Sequence, residues 1–179
     1  DDAQAVGSLR SRQSVTLRPE VSGRIANIAF ADGARVRQGQ LLVQLDSGAE
    51  RAALDAARYR AVMEGQLKSA ESRLVAAKDK LLRREQLVKE NFIAAQDRDD
   101  SLAEMQVAEA NLLEAKDNRR LATIEEKRIN ELLEQRRIRS PFNGVVTERL
   151  QHAGEIAQTG ETARAILRMA QTHPLRVEV

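Results

Sequence analysis

The stretch LKSAESRLVAAKDKLLRREQLV, Leu67–Val88, carries leucine or valine at every seventh position: Leu67, Leu74, Leu81 and Val88. Met63, Ala70 and Ala77 fill the intermediate places at spacings of three and four. Alternation of that kind is the a/d seam of a helix that packs lengthwise on another helix. A second seam follows, with Ala108, Ala115, Ala122 and Ile129 seven apart and Met105, Leu112 and Leu133 on the same face; Arg119 and Glu126 interrupt it. Between the seams lies Glu90-Asn91-Phe92-Ile93-Ala94, which reads as a tight bend. Residues 47–137 are therefore expected to form a long antiparallel coiled-coil hairpin with its tip near 90–94. Each arm would span roughly 60–65 Å at 1.5 Å per residue. Asp46 or Ser47 is placed to cap the first helix. Asp97, Asp99 and Asp100 suit the positive end of the second, and Arg136 and Arg137 its negative end.

The rest of the composition agrees. Charged residues make up 31% and aromatics 2%, with no Trp, one Tyr and three Phe, too few large side chains for an ordinary enzyme core of 179 residues. The net charge of +2 comes from 29 basic and 27 acidic residues closely interspersed, so there is no basic stripe for nucleic acid. The absence of Cys excludes disulfides, thiolate chemistry and Cys-ligated metals. No window approaches the ~18–20 apolar residues of a membrane span. The start, Asp1-Asp2-Ala3-Gln4, is not a signal peptide, and any membrane attachment is expected upstream of it.

The flanks of the hairpin are short, Gly-marked and strand-like. Residues 1–13 read as a loose segment, and strands are expected over 14–18, 21–30, 35–38 and 41–45. After the hairpin come a strand opened by Gly144, turns at 152–155 and 158–161, and a strand over 165–169. Leu175 to Val179 alternates with period two, so 171–179 is expected to be the first strand of a further domain. A shift of 121 residues lays Gly23 on Gly144, Gly33 on Gly154 and Gly39 on Gly160, and also Val21 on Phe142, Ile25 on Val146 and Leu45 on Ile166. Tight turns often need positive φ, which Gly adopts freely. The halves 14–46 and 138–170 therefore read as a duplication. Neither has the apolar surface to fold alone, so the two are expected to pack as one small β-sandwich with the hairpin inserted between them.

Duplicated halves with Gly-x-x-x-x-x-Gly turn pairs resemble the lipoyl/biotinyl carrier fold. The phrases Val21-Ser22-Gly23-Arg24-Ile25 and Arg139-Ser140-Pro141-Phe142-Asn143-Gly144-Val145-Val146 narrow the resemblance. A split lipoyl-like domain clasping a helical hairpin is similar to the periplasmic adaptors, or membrane fusion proteins, of Gram-negative tripartite efflux and secretion pumps. The fold class expected is α+β, and by this resemblance the further domain begun at 171–179 is a β-barrel. The resemblance implies a structural protein, not an enzyme, in the periplasm and anchored to or associated with the inner membrane. Its implied partners are an inner-membrane transporter, reached through membrane-proximal parts, an outer-membrane channel, reached through the hairpin tip, and further copies of itself, as a hexamer in the pump. Hairpin length and tip residues lean towards a proton-driven resistance-nodulation-division (RND) transporter; an ATP-driven exporter is the alternative. A lipoyl or biotinyl carrier would need a Lys at an exposed turn, and Gln44-Leu45-Asp46-Ser47 has none. A cytoplasmic coiled-coil scaffold is a third reading, against which the duplicated β unit argues.

Many adaptors of this family carry at the tip an Arg, a Leu four residues on and a Ser seven beyond. The matching positions are Arg83, Leu87 and Ala94, with Ala in place of the Ser. Arg83 and Leu87 fall off the a/d seam, so Leu87 is expected to be partly exposed, and Phe92 lies in the bend beside them. His152 and His173 stand in separate turns without ligand partners at metal spacing. Carboxylates alternate with Lys and Arg as solvated helix faces. No phosphate loop, catalytic triad or nucleotide motif is present, and no cofactor or metal is expected.

Overall fold

The computed structural model describes residues 13–172. The expected loose segment therefore lies outside the described residues except for Gln13. Of the strand expected over 171–179, only Gln171 and Thr172 are described. The chain divides into two compact units, one from residues up to Arg51 and from Asn130 onward, the other from Ala52–Ile129.

Among the described residues the first unit holds eight strands: β1 (Ser14–Leu17), β2 (Gly23–Ile28), β3 (Arg35–Val36), β4 (Leu41–Leu45), β5 (Arg137–Arg139), β6 (Gly144–Arg149), β7 (Ile156–Ala157) and β8 (Leu167–Gln171). They form two four-stranded antiparallel sheets, ordered β1-β8-β6-β3 and β5-β4-β2-β7. Each sheet takes two strands from each half of the chain. Four strands are exchanged: β1 pairs with β8 and β5 with β4, and the two-residue β3 and β7 cross to the other half's long strand. Val36 pairs with Gly144, and Ala157 with Gly23. Backbone bonds repeat the exchange: Gly33 N–H donates to Val146 O at 2.9 Å and Gly154 N–H to Ile25 O at 2.8 Å. Every partner in one set is the 121-residue counterpart of a partner in the other. The halves are a duplication folded about a pseudo-twofold, as expected, but they interlock strand by strand instead of stacking as separate sheets.

Turn geometry carries the same symmetry. Gly33 and Gly154 have φ of 78° and 92°, and Gly39 and Gly160 have 82° and 112°, a region costly for any residue with a Cβ. Both long strands break register at the same place, between Ile25 and Asn27 and between Val146 and Glu148. One expected match fails. Leu45 pairs with Ile25, but Val146 pairs with Met169, not with Ile166. The turn after Gly160, closed by Ala163 N–H on Gly160 O at 3.1 Å, inserts three residues, so β8 starts later than the 121-residue shift predicts.

The core between the sheets is made by Ile25, Leu42, Leu45, Val146, Leu167 and Met169 among others, each at 0–1% exposure. The phrase Arg139–Gly144 is the seam between halves. Arg139 donates to Gly39 O at 3.0 Å, Ser140 exchanges backbone bonds with Gln40 and Gly39, and Asn143 Oδ1 accepts from Gln38 N–H at 2.8 Å. The Arg139 guanidinium also hydrogen-bonds Glu134 and holds that carboxyl below the usual carboxylate range.

The helix ends that belong to this unit are tied to it. The carboxylate of Asp46 accepts Gly48 N–H at 3.3 Å at the start of α1 (Gly48–Val62). Arg136, just past the last helix, pairs with Glu50 at 3.0 Å and donates to Asp46 O at 3.0 Å, while its own carbonyl accepts Leu45 N–H at 2.8 Å. That helix stops at Gln135, and Arg137 opens β5 instead of closing the helix. The antiparallel ladder to β4, through Gln44 and Arg137, captures the chain there.

The two strand-opening glycines differ in what surrounds them. A Cβ on Gly144 would sit 2.4 Å from the backbone oxygen of Ala170, whereas one on Gly23 would meet only the end of the Arg136 side chain at 3.1 Å. Gly144→Ala is expected to destabilise the unit by about 1–3 kcal/mol, because backbone must move. Gly23→Ala should stay within about 1 kcal/mol, the scale of one hydrogen bond that Arg136 can re-aim. Urea denaturation of the two variants checks the order; equal losses would contradict it.

Candidate functional site

Two helices form the body of the second unit together with the remainder of α1: α2 (Gly65–Lys89) and α3 (Ala95–Gln135). Polar contacts set their direction. Arg58 pairs with Glu126 at 3.5 Å and Lys80 with Glu104 at 2.9 Å, and Arg84 donates to Asp97 O at 3.0 Å. As the first partner advances, the second steps back, so the arms are antiparallel in one register. Along α2 the apolar positions withdrawn from solvent are Leu67, Ala70, Leu74, Ala77, Leu81 and Val88, the expected seam. Along α3 they are Met105, Ala108, Leu112, Ala115, Ala122 and Ile129, continued by Leu133 beyond the unit's end. Arg119 and Glu126, the two interruptions, are half-buried.

The first arm is not one helix. It breaks at Met63-Glu64, and Met63, expected in the seam, is 51% exposed. The reason is phase. In α1 the buried line runs Leu54, Ala57, Ala61; continued at helical spacing it would reach Glu64 and Lys68, but the apolar line resumes at Leu67. The break absorbs this one-residue slip, at a Gly65 whose helix propensity is poor. The sequence signal was that glycine. Ser101 was also missed. It stands seven residues before Ala108, at 0% exposure, and among the described residues its hydroxyl has no hydrogen-bond partner.

At the tip, α2 ends in a turn closed by backbone bonds. Phe92 N–H donates to Leu87 O at 2.9 Å and Asn91 N–H to Val88 O at 3.1 Å, with Asn91 at φ 58°. This is a Schellman closure with Asn in the left-handed place. Leu87 and Phe92 thus supply the outer two backbone groups, while their side chains are 37% and 71% exposed. Arg83 is exposed one turn before Leu87, its Nε reaching only its own helix at Asp79 O, 3.4 Å away. Ala94 is exposed, and its carbonyl accepts Asp97 N–H at 3.1 Å, so it holds the N-cap place of α3 without a side-chain cap. Arg83, Leu87, Phe92 and Ala94 therefore all flank one bend.

Elsewhere the singled-out residues are structural. Gly23, Gly33, Gly39, Gly144 and Gly154 serve the interlock, and Gly160 closes a turn within its own half. His152 is an exposed turn residue whose N–H meets Glu155 Oε2 at 2.7 Å, and His173 lies outside the described residues. Among the described residues no group of three or more His, Asp or Glu is placed to hold a metal, and no helix is long and apolar enough to cross a membrane.

Two variants probe the hairpin's own stability. Ser101→Ala removes an unsatisfied buried hydroxyl and should raise stability by about 1 kcal/mol, read as a higher melting temperature of the helical signal. Asn91→Ala should lower it by about 1 kcal/mol, and Asn91→Gly should not, since only Gly takes the left-handed conformation freely. Equal losses for the two Asn91 variants would remove the backbone argument.

Comparison with known proteins follows the same outline. Residues 13–169 match the family described as "RND MFP, barrel-sandwich hybrid domain". The chain is 29% identical over 172 residues to the multidrug resistance protein MdtA of Klebsiella pneumoniae, covering 96% of this chain and 38% of that protein. It is 28% identical over 173 residues to the multidrug export protein AcrE of Escherichia coli K12, covering 97% of this chain and 41% of that protein. The chain thus spans about two fifths of the length of these curated relatives. Among solved structures, MacA from Actinobacillus actinomycetemcomitans superposes with a TM-score of 0.79 at 22% identity, over 90% of this chain and 51% of that one.

Proposed function

Because the chain belongs to the RND membrane fusion protein family, we propose that it is a periplasmic adaptor, associated with the inner membrane, that bridges an inner-membrane transporter and an outer-membrane channel in a proton-driven efflux pump. Copies of it assemble around the pump axis, as a hexamer, with the hairpin tip as the channel-docking element. Its role is mechanical and not catalytic.

The observation that carries the tip assignment is the division of labour at the bend. Main-chain bonds close the turn, and Leu87 and Phe92 are left exposed, with Arg83 exposed one helical turn before Leu87. Apolar side chains that the fold leaves in water next to a charge suit a partner surface. Arg83 and Leu87 are one helical turn apart, so their side chains share a face. Ala94 offers no hydroxyl, so the contact rests on Arg83, Leu87 and Phe92.

Leu87→Asp and Arg83→Asp are expected to move stability by about 1 kcal/mol or less, as exposed sites do, while reducing drug export in cells whose efflux depends on this protein. Leu81→Asp, at a seam position only 9% exposed, should cost about 3 kcal/mol or more, since it buries an unpaired charge. Thermal melting paired with a resistance assay separates the cases. Full export by a correctly localised Leu87→Asp protein would refute the docking role of the tip.

A further inference from the structure

The break between α1 and α2 leaves a space in the hairpin. A cavity of about 240 Å³ opens there, within the second unit. Its apolar lining is Met63, Leu67, Ala115 and Ala122. Its polar lining residues are two arginines, Arg60 and Arg119, and two amides, Gln66 and Asn118; among the described residues no Asp or Glu lines it. Three features already described converge on it. The one-residue slip turns Met63 outward, the seam opposite carries alanines where larger residues would fill the gap, and Arg119 occupies a seam position.

The charges around the cavity are unbalanced. Two charged residues interrupt the α3 seam. Glu126 is answered by Arg58 at 3.5 Å. Arg119 is half-buried, and among the described residues it forms no ion pair within 4.0 Å, nor does Arg60. Glu125, the acidic group that feels Arg60, is committed to Arg128 at 2.6 Å. A half-buried cation without a partner is unfavourable unless an anion comes to it. The volume suits a short acyl chain or a single aromatic ring, and a guanidinium suits a carboxylate, which it can bind bidentately.

We propose that this cavity is a binding site for a small amphipathic monoanion, its carboxylate held by Arg119 and Arg60 and its hydrocarbon part lying on Leu67, Ala115 and Ala122. The site lies in the hairpin shaft, away from the tip residues, and does not depend on their assignment. An occupant would fill the gap in the seam and answer its uncompensated charge, so binding stabilises the hairpin by mass action.

The test titrates the whole chain with octanoate, and with octylammonium and octanol as cationic and neutral controls, following calorimetry and the methyl resonances of Leu67, Met63 and Ala122. Saturable octanoate binding that shifts these methyls is expected, with octylammonium at least about tenfold weaker, the equivalent of one charge-assisted hydrogen bond. Arg119→Leu should weaken octanoate by at least about tenfold while raising the melting temperature, because an apolar seam residue replaces an unpaired cation. Ala122→Leu, which fills the apolar side, should also abolish binding, and Arg60→Gln provides a surface-side variant if Ala122→Leu melts early. Non-saturable binding, equal affinity for octylammonium, or octanoate binding unchanged in both Arg119→Leu and Arg60→Gln would overturn the assignment.

Discussion

The reciprocal exchange of β3 and β7 is the constraint on which the first unit rests. Each is only two residues long, far too short to stay paired with its own half. Each is held because it lies on the long strand of the other half, and because the Gly33 and Gly154 turns donate to that same strand. One half cannot complete a sheet without the other, so formation of either sheet requires both segments together. Those segments lie about 90 residues apart, and the entropy of closing so long a connection would oppose the exchange if it were unstructured. A helical hairpin, whose ends return to one place, removes most of that cost. The same logic explains the crowding at Gly144, where the exchanged strand's partner also pairs with β8 and no room remains for a side chain.

The hairpin solves a different problem with few large side chains. Its seam alternates leucines with alanines, which lets two helices approach closely but leaves little apolar area per turn. Polar contacts across the arms, such as Lys80–Glu104, add register more than energy, since exposed pairs contribute about 0–1 kcal/mol. The tip economises in another way. The bonds that close the bend are between backbone groups, so the exposed Leu87 and Phe92 side chains stay available for contact. The helix break shows the cost of the same sparse seam: where the phase slips, no large residue is at hand to fill the gap.

Much of this was legible in the chain itself. The heptads from Leu67 and Ala108 placed the arms, since a seven-residue period has no other structural outlet in a polar segment. The glycine pairs placed the turns, since a left-handed residue must be marked by a residue that tolerates it. Asn91-Phe92 marked the bend, though not the way in which it is closed. Ser101 could have been added to the seam by counting back seven from Ala108. The slip at Met63 could not, because single apolar residues near a glycine fit either of two phases.

What the sequence by itself determined is the set of local elements, their duplication, and the residues that crowd one bend; each is written in a period or a dihedral demand carried by neighbours in the chain. Tertiary structure alone decided which strand lies against which. A two-residue strand has no periodicity to read, and Val36 or Ala157 is as compatible with its own half as with the other until the whole sheet is assembled. It also decided that Leu45 answers to Met169 and not to Ile166, because a turn can absorb three residues without changing any pattern around it. And it decided that Glu126 has a partner while Arg119 faces a cavity, since pairing across two arms depends on a register fixed only when the helices meet.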